Sequence, residues 1–446
     1  MPIKHILALG CALLLTTACS SKPEAESEFA ASEASLGTDG AITQQFHSVI
    51  YYPDELSLQF PGYIVGVEKV RVAKISDTPK EVILTTEVPN NDNSAEDLYD
   101  LLIDQKTMLV THIMRNQPQE NCAIYSAYTS SEQGNDERCK QQHRFEGNLY
   151  QQSWQAMTAL RQNLEADISA KKATPDLTDD YTHIFVLVMG WNTDQEEAVR
   201  NFNSIIGNLH KASKGEMRPL FIGLTWPSLW SSSFIDPLAK VFSYPNKAND
   251  ADEVGLSWLG VLLHQTIKGL DVAKTIVVGH SFGARATSMA TCVGPAITQD
   301  GTMIARNNID LLVSLQGAYS ISRFYPDRGI ETPQYQYCQQ AARVLLTSSI
   351  RDTAMNTGIW APFVGNETTY TKYCEDKIED NFSCHKVGPT GTYSFGDIKE
   401  RFVYVNADDL IRFIAYKSGG GAHSDIYRQP MADFLWSAIS AMAPAK

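Results

Sequence analysis

The sequence predicts an α/β fold with a mostly parallel, doubly wound sheet. In its second part, short apolar runs rich in β-branched residues alternate with segments of helical length, which is typical of buried parallel strands covered by helices. The predicted strands are 183–189, 220–225, 275–278, 309–315, 343–347 and 402–405, and the predicted helices include 196–212, 255–270 and 430–442. A chain of 446 residues that is 43% hydrophobic is long enough to bury such a core.

The chain before this region has a different character. Residues 46–175 predict an N-terminal extension of mixed structure with no chemical signal, and 176–446 form the predicted catalytic domain. Within the extension, strands are predicted at 63–67 and 81–85 and a helix at 149–171. Two later segments, 226–254 and 355–400, are long for simple connections, so we expect cap or lid insertions there.

The first residues have the pattern of a targeting segment. Residues 1–18 combine a short charged start, an apolar stretch and small residues, which predicts a signal peptide. Their end resembles the lipobox of bacterial lipoproteins, with Leu15 one place from its usual position, and this implies lipidation of Cys19. A plain secretory signal is the alternative. A serine directly after the cysteine, here Ser20, resembles lipoproteins of the outer membrane, if the organism is Gram-negative. Residues 19–45 are rich in Ser, Ala and Glu and predict a flexible tether.

Charge and cysteine content limit the possible partners and the compartment. A net charge of −14 without a basic stripe argues against a nucleic-acid partner. Six cysteines lie beyond Cys19, and an even number outside the cytosol favours disulfides. Many pairings are possible, and the short loops favour Cys122 with Cys139, Cys374 with Cys384, and then Cys292 with Cys338. Zinc is the competing interpretation, but no C-x-x-C or C-x-x-H pair is present, and no metal or organic cofactor is implied.

The stretch 275–286 gives the strongest chemical signal. A β-branched run stops at residues 279–283, which read Gly-His-Ser-Phe-Gly, and small residues suited to a close-packed helix follow. This order of strand, turn and helix is typical of a nucleophile elbow, where a strained backbone presents the serine hydroxyl and flanking glycines leave room. Ser281 is therefore the predicted nucleophile, and Gly279 and Gly283 are the predicted elbow glycines.

Two residues that lie much later in the chain than Ser281 complete a predicted triad. The serine needs a base to take its proton and a carboxylate to hold that base, and in folds with such an elbow the acid and then the histidine follow the serine. His423, in a glycine-rich loop before the last helix, is the predicted base in preference to His385, and Asp352, after strand 343–347, is the predicted acid. The other carboxylates considered are Asp310, which precedes its strand, Asp408 and Asp409, which suit a helix cap, and Asp425, a possible local partner of His423.

An oxyanion hole needs two backbone N–H groups aimed at the developing negative charge. The residue after the nucleophile supplies one of them, which is Phe282 here. The strand 183–189 ends in a glycine turn at Gly190, so the N–H of Trp191 is the predicted second donor.

Together these motifs resemble the α/β-hydrolase superfamily. Within it, the chain is similar to an uncharacterised bacterial group of serine hydrolases with Gly-aromatic-Asn-Thr at a strand end, a Trp-Pro-Ser segment and a Gly-His-Ser-x-Gly elbow, here 190–193, 226–228 and 279–283. The resemblance covers about 177–446 and implies the α/β-hydrolase fold there. Met189 stands where the group usually has His, which affects the oxyanion loop rather than the triad.

The triad and the resemblance predict a serine hydrolase that cleaves carboxylic esters, esterase-like or lipase-like, through an acyl-enzyme. A lipid anchor would place it at a membrane, beside lipid esters. Aromatic residues near the predicted site suggest an apolar pocket, and they are Trp191, Trp226, Trp230, Trp258, Trp360, Phe234 and Phe363. A peptidase or thioesterase could use the same triad, and a non-catalytic envelope binding lipoprotein on a hydrolase scaffold is the second class of function.

Overall fold

The computed structural model describes fifteen stretches of the chain. They are 41–45, 48–52, 60–71, 106–117, 120–126, 149–173, 180–190, 195–226, 248–272, 274–324, 342–355, 363–376, 382–396, 398–413 and 421–443. The predicted signal peptide with Cys19, most of the predicted tether, the predicted strand 81–85 and most of the predicted insertion 226–254 lie outside these residues. In the described ranges, no helix is both long enough and apolar enough to cross a bilayer.

Regular structure alternates between strands and helices over most of these ranges. The strands are β1 (Ala41–Gln45), β2 (Ser48–Tyr52), β3 (Gly62–Arg71), β4 (Lys106–Gln117), β5 (Glu120–Ser126), β6 (His183–Val188), β7 (Pro219–Thr225), β8 (Lys274–His280), β9 (Leu311–Leu315), β10 (Arg343–Ser348), β11 (Phe382–Lys386) and β12 (Phe402–Asn406). The helices are α1 (Leu149–Lys172), α2 (Gln195–Ala212), α3 (Trp258–Val261), α4 (Phe282–Cys292), α5 (Glu367–Tyr370) and α6 (Gln429–Met442).

Ten of these strands form one sheet in the order β11-β12-β10-β9-β8-β6-β7-β3-β4-β5. From β11 to β3 all neighbours pair in parallel, whereas β3 with β4 and β4 with β5 pair antiparallel. A separate antiparallel pair joins β1 and β2. The predicted fold class, α/β with a mostly parallel sheet, is confirmed.

Helices cover both faces of this sheet, as a doubly wound fold requires. Because successive side chains of a strand point to opposite faces, β6 divides its residues between two cores. Ile184 and Val186 share a core with α1 and α4, on what we name the α4 face. Phe185 and Leu187 share a core with α2 and α6, on the α2 face. Strands buried on both sides explain why they appear in the sequence as continuous apolar runs.

The predicted N-terminal extension contributes to the same sheet. Its strand β3 pairs in parallel with β7, and β4 and β5 follow at the sheet edge. Trp258 of α3 donates a hydrogen bond from its indole N–H to the carbonyl of Met108 on β4, at 2.7 Å. Trp258 also packs edge-on against Trp154 of α1, with ring centroids 5.2 Å apart. Trp258 is therefore a core residue in the structure, and not part of an apolar pocket.

Two segments differ from the sequence prediction. The single helix expected at 255–270 is divided into a helix over 248–256, α3, and a π-helix, Leu262–Thr266. The expected insertion 355–400 contains the edge strand β11, which pairs in parallel with β12. Its polar sequence gives little strand signal, so pairing with β12 and the adjacent disulfide supply the order.

The structure describes one complete disulfide and one further disulfide-bonded cysteine. Cys374 and Cys384 form a disulfide, with an S–S distance of 2.04 Å, as predicted from their short separation. Cys292 is also disulfide-bonded, and its predicted partner, Cys338, lies outside the described residues. Cys139 lies outside them too, so the pairing of Cys122 stays a prediction.

Candidate active site

The turn between β8 and α4 places Ser281 in a strained backbone conformation. Ser281 has φ 57° and ψ −121°, a region that residues with a side chain rarely occupy. Two of its backbone hydrogen bonds run to the end of β9 and the segment after it: its N–H donates to the carbonyl of Leu315 at 3.0 Å, and its carbonyl accepts from the N–H of Ala318 at 3.1 Å. The end of β9 therefore fixes the serine from both sides.

The two glycines that flank Ser281 allow this turn to form. A Cβ at position 279 would lie 2.4 Å from Thr287 Oγ1, and a Cβ at position 283 would lie 2.1 Å from the carbonyl oxygen of Val188. Both distances are far below van der Waals contact. Only glycine lets α4 begin this close to the end of β6.

His423 and Asp352 lie in contact at the same edge of the sheet. His423 Nδ1 is 2.7 Å from Asp352 Oδ2, and Asp352 is fully buried while the His423 side chain is 14% exposed. The other carboxylate oxygen, Oδ1, accepts the N–H of Met355 at 3.1 Å. Because a carboxylate only accepts, Nδ1 carries the hydrogen of this bond, which leaves Nε2 as the basic nitrogen of the neutral ring.

The loops that hold these two residues are joined through their backbones. Asp352 forms an antiparallel bridge with Gly421. Next to this bridge, the N–H of Ala422 donates to the carbonyl of Arg351 at 2.9 Å. The acid and the histidine are therefore set by main-chain pairing as well as by their own hydrogen bond.

The other carboxylates considered from the sequence have different partners. Asp310 accepts a backbone N–H at the amino end of β8, at 2.8 Å, far along the strand from Ser281. Asp408 accepts the N–H of Ile350 at 2.7 Å. Asp425 forms a buried ion pair with Arg428, whose Nη2 lies 2.6 Å from Asp425 Oδ2. The remaining histidine candidate, His385, lies on β11 between Ser383 and Tyr393, at 2.7 Å from each hydroxyl.

The predicted oxyanion donors are only partly described. Phe282 is the first residue of α4 and directly follows Ser281, whereas Trp191 lies outside the described residues. The residue before it, Gly190, lies against the nucleophile: a Cβ there would approach Ser281 Cβ to 2.6 Å. The strand end that leads to residue 191 therefore reaches Ser281.

Met189 is a packed structural residue at this strand end. Its side chain is 2% exposed in the core of the α2 face. Its carbonyl accepts the indole N–H of Trp226 at 2.9 Å, and its sulfur accepts the hydroxyl of Tyr427 at 3.7 Å. Trp226 thus braces the turn that precedes residue 190, and Met189 itself offers no acid or base.

The sequence did not single out two other residues at this edge. His280 Nε2 is 2.9 Å from the carbonyl oxygen of His423, and the two rings lie 4.6 Å apart. Gln316, after β9, is buried and has a positive φ of 46°, and its side-chain amide and backbone N–H both contact Thr347 Oγ1. A positive φ cannot be seen in a sequence, but the position of His280 beside the serine was visible.

A charged cluster fixes the helix that follows the nucleophile. Arg285 of α4 donates from Nε to Asp252 Oδ1 at 2.9 Å, and Arg323 donates from Nη2 to the same oxygen at 3.2 Å. Arg323 also donates to Ser288 Oγ at 3.2 Å. All of these contacts lie on the α4 face and join α4 to the helix 248–256 and to the segment after β9.

Comparison with known proteins gives little further information. No family model and no curated protein matches the chain. Among solved structures, the enterobactin esterase of Shigella flexneri, crystallised with 2,3-dihydroxy-N-benzoyl-glycine, is 15% identical over 58% of this chain and 53% of that chain, with a TM-score of 0.27. The chain thus spans about half the length of that esterase. This likeness is too low to assign a function, so the function is inferred from the geometry of the site.

Proposed function

We propose that the chain is a serine hydrolase that cleaves carboxylic esters, with Ser281 as nucleophile, His423 as base and Asp352 as the acid that orients the base. The observation that supports it most is the contact of His423 Nδ1 with Asp352 Oδ2, at 2.7 Å, at the same strand ends as the strained Ser281. A buried carboxylate on Nδ1 is the arrangement that leaves Nε2 free to take a proton.

The proposed reaction proceeds in two halves. Ser281 Oγ attacks the ester carbonyl carbon while its proton passes to His423 Nε2, and the imidazolium is stabilised by Asp352. The negative charge on the carbonyl oxygen is stabilised by the N–H of Phe282 and, as proposed from the sequence, by that of Trp191. The tetrahedral intermediate collapses when His423 gives the proton to the leaving alcohol. Water then attacks the acyl-enzyme by the same route and releases the acid and the serine.

Ester chemistry is proposed over the other uses of a triad because of the predicted location. The signal pattern at 1–18 and Cys19 supports a lipid-anchored protein of the cell envelope, in the outer membrane if the organism is Gram-negative. A membrane-anchored hydrolase lies beside acyl lipids, and a lipid or small-molecule ester is the proposed substrate. Radiolabelled palmitate incorporated into the wild type and absent from Cys19→Ser would support the anchor, and equal labelling of both would contradict it.

Hydrolysis of a panel of p-nitrophenyl esters tests the proposed reaction. We expect wild-type turnover and a loss of about a millionfold in kcat for Ser281→Ala, because triad members act as a unit. Ser437→Ala, which removes a hydroxyl bonded within α6 to the carbonyl of Asp433, is the matched control and should keep full activity. Activity on thioesters or peptides alone would show that the substrates are not esters. No turnover by folded wild type would favour the alternative of a non-catalytic binding protein.

A further inference from the structure

We propose that His280, the residue before the nucleophile, is a positioning residue that holds the imidazole of His423 in place. This proposal rests on the proposed function of the site. His280 does not contact the ester in this scheme. It acts on the base, through the main chain and one ring face of His423.

The alternation of β8 sets the direction of the His280 side chain. Ile276 and Val278 point into the core of the α2 face, and His280 is the next residue in this alternate series. Ala422 and Ile426, on either side of His423 in sequence, belong to the same core. The strand that ends at the nucleophile therefore presents His280 to the face from which the His423 loop arrives.

Two contacts join the residues. His280 Nε2 lies 2.9 Å from the carbonyl oxygen of His423, and because a carbonyl only accepts, Nε2 is the donor. The two rings lie 4.6 Å apart with a tilt of 36°, which is within the distance range of stacked aromatic pairs. His280 is 4% exposed, so its hydrogen bond is shielded from competing water.

These contacts complement the one that Asp352 makes. Asp352 fixes the Nδ1 side of the His423 ring, whereas His280 fixes the backbone of His423 and covers one ring face. Residues 419–421 directly before this loop read Gly-Gly-Gly, and glycines lose more conformational freedom on folding than other residues. A base that follows such a sequence needs several anchors, and His280 adds one to the Asp352 side chain and the backbone pairing of Gly421 and Ala422.

Two variants separate the hydrogen bond from the ring contact. His280→Phe keeps an aromatic ring and loses the donor, and His280→Gln keeps an amide donor of similar reach and loses the ring. His264 is the matched control, because it is also buried and its Nε2 lies 2.8 Å from a carbonyl oxygen, that of Ala290, but it is in the π-helix before β8. His264→Phe should lower the melting temperature and leave kcat within about twofold of wild type.

We expect His280→Phe to lower kcat by about 10- to 100-fold, because a small displacement of a catalytic group has effects of this size. KM should change by less than about twofold, since ground-state binding is not altered. His280→Gln should recover activity to within about fivefold of wild type, because it restores the donor. A kcat of His280→Phe equal to that of wild type would overturn the proposal, and so would a His280→Gln variant no more active than His280→Phe.

A measurement that needs no turnover separates this proposal from the proposed function. The proton between His423 Nδ1 and Asp352 gives a low-field NMR resonance of its own, which Asp352→Asn assigns by its loss. We expect this resonance in wild type and His280→Gln, and its broadening in His280→Phe as the ring becomes mobile. If wild type hydrolyses no ester, the proposed function fails, but this spectrum still tests the positioning role. An unchanged resonance in His280→Phe would contradict that role.

Discussion

Two of the regions in which the sheet buries polar side chains organise them differently. At the carboxyl ends of β8 and β10, Ser281, His423 and Asp352 come from three separate loops and are held mainly by backbone hydrogen bonds. Around β3 and β4, polar groups pair directly between a strand and a helix. In the first region a histidine contacts a buried carboxylate at the sheet edge where the strained Ser281 lies, whereas in the second region the polar groups join layers of structure.

Two clusters make up the second region. Tyr63 of β3 donates to Asp167 of α1 at 2.5 Å, and Arg115 of β4 pairs with the same carboxylate. Lys69 of β3 pairs with Asp250 at 2.5 Å and with Glu253 at 3.3 Å, on the helix 248–256. These contacts join β3 and β4 to the helices of the α4 face, and none of them involves β8 or β10.

Buried polar groups alone therefore do not mark a functional site. Burial raises the pKa of Glu253 to about 7 and lowers the pKa of His112 on β4 to about 4, so both are strongly perturbed. Perturbed titration is one signal of catalytic groups, yet ion pairs in a structural interface perturb pKa values too. Here the strained serine and the histidine–carboxylate contact identify the candidate site. Substitutions should therefore affect activity in one region and stability in the other.

Apart from removal of the nucleophile itself, the largest effect is expected from Asp352→Asn. The amide keeps the size of the side chain, but it stabilises the imidazolium poorly and favours the wrong tautomer of His423. We expect kcat for ester hydrolysis to fall about 10⁴-fold. Asp310→Asn is the matched control, because Asp310 bonds the amino end of β8, away from Ser281, and it should retain wild-type kcat. Equal losses in the two variants would show that the loss in Asp352→Asn does not depend on its contact with His423.

A smaller effect, on folding, is expected from Gly283→Ala. Alanine normally favours a helix over glycine by up to about 1 kcal/mol, so a variant limited by helix propensity would be more stable. Here the new Cβ would lie 2.1 Å from the carbonyl oxygen of Val188, so α4 must move from β6. We expect a loss of about 3 kcal/mol in urea unfolding, with reduced activity. Gly388→Ala is the control, since its Cβ would have no neighbour within 4 Å, and it should be neutral.

An effect on stability that depends on pH is expected in the β3 and β4 region, from Glu253→Gln. Since burial raises the pKa of Glu253 from 4.5 to about 7, the folded protein holds this proton more tightly than the unfolded chain. The resulting stability is present below pH 4.5 and is lost as the pH rises towards 7. We expect wild type to lose up to about 1.4 kcal/mol per pH unit relative to Glu253→Gln in this window.

Paired urea titrations at several pH values measure that difference. Glu165→Gln, on the exposed side of α1, is the control and should track wild type. Ester hydrolysis should be unaffected by Glu253→Gln at a fixed pH where both proteins are folded. A pH-independent difference between wild type and Glu253→Gln would show that the pKa of Glu253 is the same in the folded and the unfolded protein.

Much of the central sheet was predictable because its strands are buried on both faces. Continuous apolar runs such as 183–189 and 309–315 have this pattern, and β6 and β9 lie within them. β11 was missed because its residues are polar and its order depends on β12 and on the Cys374–Cys384 disulfide. The division of the helix expected at 255–270 was missed because no proline marks the change at Ser257, whose hydroxyl donates to the carbonyl of Glu253 at 2.6 Å.

In the candidate site, too, the predictable features are those whose residues are adjacent in sequence. The elbow at 279–283 was visible because its glycines, serine and preceding strand are adjacent in sequence. The preference for Asp352 and His423 followed from their order after Ser281, and they stay proposed members of a triad. The contact between His280 and His423 was not foreseen, because it joins residues 143 apart and depends on where the last loop returns to the sheet.

The central claim is that Ser281 is the nucleophile of this site. Peptide-mapping mass spectrometry after treatment with a fluorophosphonate tests it directly, because the probe forms a stable phosphonyl ester only with an activated hydroxyl. We expect one adduct, on the peptide that contains Ser281, with no adduct in Ser281→Ala and slower labelling in Asp352→Asn. Stoichiometric labelling at another serine, or none on folded wild-type protein, would contradict it.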